Sequence, residues 1–127
     1  MDIAGIWTHM KYVTIKGKQL LFENGYELQI SRIDRRNLSV RFMDPQGSIK
    51  EVAAIDSGSH LCVFGWIDEP YTYSGTAFAS RFNNDDVLVG IIERKLTARD
   101  PYGTGDSDMG SFTATKPIGG DDGTESS

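Results

Sequence analysis

The most regular pattern in the chain is an alternation of side-chain types along residues 71–82, followed by a nearly continuous apolar run at residues 87–92. The alternation repeats every second residue, as in a β-strand, and residues 71–82 show no apolar stripe with the 3.6-residue period of a helix. A polar tetrad, Asn-Asn-Asp-Asp at residues 83–86, separates the two stretches. The pattern predicts a β-hairpin whose second strand is β-branched and suited to burial.

Similar stretches fill most of the remaining chain and are joined by brief polar reversals. They lie at residues 2–15, 26–33, 38–43, 49–55, 60–67 and 109–115, with a shorter apolar run at 19–22. The sequence therefore predicts eight or nine strands. Because each reversal is short and links neighbouring strands, an all-β, eight-stranded antiparallel up-and-down β-barrel follows more naturally than a sandwich, which would need a longer crossover.

Two segments depart from this pattern. Residues 97–108 form a twelve-residue stretch of turn-forming residues, and residues 118–127 have the glycine content and polarity of a disordered tail. We therefore expect one barrel domain, residues 1–117, followed by a disordered tail, residues 118–127. An eight-stranded barrel leaves an interior that holds at most one small ligand.

Charge and composition narrow the class of partner. The formal net charge is −5 at pH 7, which argues against a nucleic-acid or anionic-membrane partner. No apolar run approaches the roughly 20 residues of a membrane-spanning helix, so a soluble, cytoplasmic protein is expected. Cys62 is the single cysteine and has apolar neighbours, which predicts a small buried side chain. His9 and His60 belong to no metal-binding motif, so neither a metal nor a cofactor is expected.

Four short motifs resemble the calycin superfamily, and within it the avidin and streptavidin family more than the lipocalins. They are GIWT at residues 5–8, GW at 65–66, SGT at 74–76 and GSFT at 110–113. The resemblance spans Gly5 to Lys116 and implies a barrel with an internal pocket. It also implies that Trp7 plugs one closed end of the barrel beneath a basic side chain, for which Arg99 and Lys116 are the candidates.

The chain departs from the avidins where that family binds biotin. No second tryptophan follows Trp66 within a few residues. The position that resembles the acidic ligand residue is Gly110, and the position that resembles the tryptophan of the penultimate strand is Ile91 or Ile92. The resemblance therefore implies the fold and a pocket, but not biotin binding.

The ligand-binding candidates are aromatic or apolar side chains together with one cation as a polar anchor: Trp66, Tyr73, Phe78, Ile92 and Arg94. Trp66 lies beside Gly65, whose missing side chain leaves room next to the indole ring. Core packing is the alternative interpretation of each of the aromatic residues.

Glu93 and Arg94 are adjacent charges in a strand that is otherwise apolar, so one of the two side chains must point inward if the strand is regular. An inward charge in a barrel needs a partner or a ligand. An irregularity at Gly90 would exchange the two faces, which leaves the choice between Glu93 and Arg94 open.

Two functions fit these residues. The first is a non-enzymatic barrel that binds a small hydrophobic or amphipathic molecule in its interior. The second is a cofactor-independent isomerase or cyclase that encloses and folds its substrate, with His60, Glu93 or a tyrosine assisting proton transfer.

The apolar residues of the hairpin also predict how the chain assembles. Apolar residues lie on both faces of the two hairpin strands, and a chain of 127 residues cannot cover both faces by itself. We therefore expect a homodimer or a higher homo-oligomer. A filled barrel whose outer face serves only for assembly is a third possibility.

Overall fold

The computed structural model describes residues 2–17, 21–58, 60–96 and 107–116. These residues form eight β-strands and no helix: β1 (Gly5–Lys16), β2 (Glu27–Arg32), β3 (Asn37–Met43), β4 (Ile49–Gly58), β5 (Leu61–Asp68), β6 (Tyr71–Phe82), β7 (Asp85–Leu96) and β8 (Ser107–Thr115). The predicted tail, Arg99 and most of the predicted loop at 97–108 lie outside the described residues.

The strands form a closed antiparallel barrel in sequence order, with β8 returning to pair with β1. This confirms the predicted up-and-down barrel. Asn83 and Asn84 make the turn between β6 and β7, with φ angles of +52° and +68°. Positive φ at both central residues is typical of a two-residue hairpin turn whose twist matches the strands. The hairpin predicted from residues 71–92 is therefore present.

One end of the barrel is closed by Trp7, which is fully buried. Its indole Nε1 donates a hydrogen bond to the Ile3 carbonyl at 2.9 Å, and the Lys116 Nζ lies 4.9 Å from the ring centroid. Lys116 also donates to the Asp2 carbonyl at 2.8 Å. The ammonium group thus stacks on the indole and ties residue 2 to the end of β8, as the resemblance implied. We call the opposite end, where β1, β3, β5 and β7 finish, the far end.

Glycines on the inner face make room for aromatic rings in the middle of the barrel. A Cβ atom at Gly110 would overlap the Tyr12 ring, and one at Gly90 would overlap the Phe112 ring. Gly75 faces Phe64 in the same way, with ring atoms 2.8 Å from an added Cβ. The middle of the barrel is therefore filled by large side chains that bridge from one strand to the bare backbone of another.

Cys62 belongs to this filled interior and is fully buried, as predicted. Burial raises the pKa of its thiol to about 11. Because the thiolate is the nucleophilic form, a cysteine in this environment is chemically inert at neutral pH.

The outer surface of β4 to β7 is unusually apolar. Five side chains that are between 42% and 51% exposed lie on it, and we call them the outer apolar face: Ile55, Val63, Phe78, Val89 and Ile91. Strand register brings these side chains together in two cross-strand pairs, because Ile55 is opposite Val63 and Phe78 is opposite Val89.

Candidate functional site

Four inward side chains form a continuous row across β5, β6, β7 and β8 at the far end. Trp66 is opposite Tyr73, Tyr73 is opposite Arg94, and Arg94 is opposite Asp108. We call these four residues the cross-strand row. Inward orientation follows from strand parity, since Arg94 lies two residues beyond Ile92, which is fully buried. Of these two adjacent charges, Arg94 is therefore the one that points into the barrel, and Glu93 points outward.

The Arg94 side chain is fixed by contacts with its neighbours. Its Nη2 donates to the Asp108 Oδ2 at 2.7 Å, and the two side chains are only 13% and 17% exposed. Its guanidinium carbon lies 3.9 Å from the centroid of the Tyr71 ring, a cation–π distance. Burial alone would lower the pKa of Arg94, but the hydrogen bonds with Tyr73 and Asp108 outweigh it, and the pKa is raised. The group is therefore a fixed cation.

Aromatic rings line the β3 to β6 side of this site. Trp66 and Tyr73 stack with centroids 4.6 Å apart and planes 7° apart. Phe42 and Phe64 contact the same indole, with centroid distances of 5.6 Å and 6.3 Å. The exposed Lys50 Nζ lies 6.0 Å from the indole ring. A ligand at this end would therefore meet aromatic side chains beside a cation.

Phe22 extends this set of aromatic side chains toward β1, although it lies outside any strand. Its ring stacks on Phe42 at 5.3 Å and meets Tyr26 edge-on at 5.0 Å. The segment around it is fixed to β1 by two hydrogen bonds, from the Tyr12 N–H to Asn24 and from the Gly25 N–H to the Met10 carbonyl, each 2.9 Å long. Phe22 is thus packed into the far end.

Two buried polar atoms at this end have no hydrogen-bond partner among the described residues, the Arg94 Nε and the Tyr12 Oη. Burial is the main cause that raises the pKa of the Tyr12 hydroxyl, and the negative charge of Asp108 raises it further. An unpaired buried donor or acceptor costs about 1–3 kcal/mol. Such atoms are candidates for contact with a bound molecule.

The structure brings together four of the five residues predicted to bind a ligand: Trp66, Tyr73, Ile92 and Arg94. Phe78 is the exception. It lies on the outer apolar face and is 42% exposed, because it has the opposite strand parity from Tyr73. Placing Phe78 in the interior was therefore wrong.

The two residues suggested for proton transfer lie away from this site. His60 is exposed in the turn before β5, at the end of the barrel that Trp7 closes, and has a φ of +66°. Glu93 faces outward, with its carboxylate 3.9 Å from the Lys95 Nζ. Neither side chain lines the interior, so a tyrosine is the one kind of group suggested for proton transfer that the described interior supplies.

Sequence reasoning missed Asp108 and Tyr12. Asp108 lies two residues before Gly110 on β8, so strand parity alone places it on the same face as Phe112. It was overlooked because residues 107–108 were assigned to the preceding loop. Tyr12 gave no comparable signal, because nothing in its own strand shows that its hydroxyl reaches the far end.

Metal clusters and membrane-spanning helices are both missing from the described residues. The part of the chain that the structure describes holds no cluster of three or more His, Cys, Asp or Glu side chains suited to a metal ion. Within the same residues, no helix has the length and hydrophobicity needed to cross a membrane.

Comparison with known proteins defines the fold class. No protein-family model matches the chain, and no curated protein matches it. Among solved structures, the rhizavidin–biotin complex is similar, with a TM-score of 0.56 and 14% sequence identity over 92% of this chain and 98% of that one. The chain therefore shares the closed β-barrel fold of that structure. The resemblance seen in the four sequence motifs is confirmed at the level of the fold.

Proposed function

We propose that this protein is a binding barrel for a small apolar or amphipathic molecule, which lies at the far end against the cross-strand row. The observation that carries the proposal is Arg94, a charge that is only 13% exposed, lies beside an aromatic wall and has an unpaired Nε. Buried charges of this kind are retained where a partner or a ligand uses them. The similar solved barrel contains a small molecule, biotin, which is consistent with the proposal.

Biotin itself is a poor candidate for this chain. The Tyr12 ring covers Gly110, the position that resembles the acidic ligand residue of the avidins. Ile92, which is fully buried, stands near the position of a family tryptophan. The polar and aromatic groups expected for biotin are thus replaced by packing, and we propose a different ligand.

The isomerase or cyclase alternative has less support. Asp108 is an inward carboxylate, but the guanidinium of Arg94 neutralises it at 2.7 Å. A general base must reach its proton and accept it near neutral pH, and a carboxylate in a close ion pair is poorly suited to that role.

Native mass spectrometry of the full chain purified from its source tests the proposal. We expect a mass in excess of the polypeptide that is lost on denaturation. The variant Trp66→Leu, which removes the centre of the wall, is expected to retain less of the same mass, whereas Ile15→Ser, on the outer surface, is expected to retain it fully. Absence of any bound molecule, together with no change in Trp66 fluorescence across a panel of aromatic amphipathic compounds, would contradict the proposal.

A further inference from the structure

We propose that the ligand is an uncharged, flat molecule with a carbonyl or ring-nitrogen acceptor, and that Asp108 is the residue that excludes carboxylates. This inference rests on the proposed function and names the chemical class that the same site accepts.

The cation of Arg94 is already neutralised inside the protein. Asp108 Oδ2 accepts from Arg94 Nη2 at 2.7 Å, and both side chains are largely buried. A carboxylate ligand on the same guanidinium would lie close to the Asp108 carboxylate, where little water is present to screen the repulsion. A neutral acceptor avoids this repulsion and still accepts a hydrogen bond.

The described parts of the far-end connections carry negative charge. In their described parts, residues 17, 21–26, 44–48 and 69–70, they carry Glu23, Asp44 and Glu69 and neither lysine nor arginine. The pKa of Tyr26 is raised first by burial and then by Asp44 and Glu23, so these carboxylates act on groups inside the far end. Lys50 lies nearby but is exposed, and water screens its charge.

The two unpaired atoms define what the ligand supplies. The Arg94 Nε is a donor that needs an acceptor, and the Tyr12 Oη can donate or accept. A primary amide, a lactam or a heteroaromatic nitrogen satisfies such a pair without bringing a charge. The aromatic wall of Trp66, Phe42 and Phe64 favours a planar, apolar remainder of the molecule.

Two probes with the same ring system, neutral 1-naphthamide and anionic 1-naphthoate, test the inference by isothermal titration with the full chain at neutral pH. We expect the wild-type protein to bind the amide at least about tenfold more tightly than the carboxylate. Asp108→Asn keeps the size of the side chain and frees the charge of Arg94, so it should raise naphthoate affinity by about tenfold or more and reverse the preference. The control Asp85→Asn changes an exposed carboxylate at the end that Trp7 closes, and it should leave the order of the two probes unchanged.

Equal or tighter binding of naphthoate by the wild-type protein would overturn the inference while leaving the proposed function in place. That measurement does not depend on the variant, so a poorly folded Asp108→Asn protein leaves the test intact. A protein that retains a native ligand but binds neither probe would also overturn the assignment of ligand class. Failure of both the probes and the search for a retained ligand would instead count against the proposed function itself.

Discussion

Arg94 shows how a barrel tolerates a charge on its inner face. Asp108 neutralises the guanidinium, Tyr71 covers its plane at 3.9 Å, and Tyr73 lies opposite Arg94 on β6. The alternation of Ile92, Glu93 and Arg94 predicted that one charge would point inward, but sequence alone did not show which. A bulge at Gly90 would have turned Glu93 inward and Arg94 outward. The regular pairing of Gly90 with Phe112 shows that β7 has no bulge there.

Replacement of Arg94 by leucine should weaken binding and stability together. Loss of a charged hydrogen bond is expected to reduce affinity for an acceptor-bearing probe by roughly 1–3 kcal/mol. Asp108 would be left without its cation, which should cost about 2–3 kcal/mol of unfolding free energy, below the range for a fully buried pair. Titration calorimetry and urea unfolding measure the two effects.

The double variant Arg94→Leu/Asp108→Leu separates these effects. It removes both charges, so stability should return toward the wild-type value while binding stays weak. Binding at wild-type strength in either variant would show that Arg94 is not the anchor.

At the scale of the strand, a glycine on one strand leaves the space that an aromatic ring of the neighbouring strand fills. Gly110 on β8 lies beneath the ring of Tyr12 on β1, and Gly90 on β7 lies beneath Phe112 on β8. The order, direction and most boundaries of the strands followed from period-2 patterning and turn residues. The pairs between strands did not, because they depend on register, which the sequence leaves undetermined when both faces of a strand carry apolar residues.

Gly110→Ala tests one of these pairs. Within a strand, alanine ordinarily stabilises relative to glycine by about 0.5–1 kcal/mol. Here the added methyl group would overlap the Tyr12 ring, so we expect a net loss of about 1–3 kcal/mol, the usual cost of overpacking a core. Thermal unfolding followed by circular dichroism measures the change.

A second substitution at Tyr12 provides the control. Tyr12→Ser removes the ring that the methyl group would meet, so the effect of Gly110→Ala should be much smaller in that background than in the wild-type protein. An effect of equal size in both backgrounds would mean that the strain arises elsewhere.

At the scale of the whole molecule, the outer apolar face is a group of large apolar side chains that the single chain leaves exposed. Its five residues span four adjacent strands, and the largest, Phe78, is 42% exposed. Apolar patches of this kind on a soluble domain mark interaction sites. The sequence predicted an apolar outer surface, but it placed Phe78 in the interior. Parity could not separate the two faces, because both hairpin strands carry apolar residues on each face.

We predict that two copies of the chain associate through this face. Sedimentation equilibrium at micromolar concentration should give a dimer for the wild-type protein and a monomer for Phe78→Lys, which places a charge in the centre of the patch. Ile15→Lys alters an exposed isoleucine on β1, outside the patch, and should leave the dimer intact. A monomeric wild-type protein would contradict the prediction.

The pairing of β1 with β8 has a consequence for the order of folding. Every other strand pair joins neighbours in sequence, whereas this seam joins Thr8 to Thr115, 107 residues apart. The entropy cost of closing a loop grows as the logarithm of its length, about 4 kcal/mol at this separation against about 1 kcal/mol for a short hairpin turn. The hairpins should therefore form first as an open, curling sheet. Closure of the seam is then the slow step that completes the inner face and, with it, the placement of Asp108 beside Arg94.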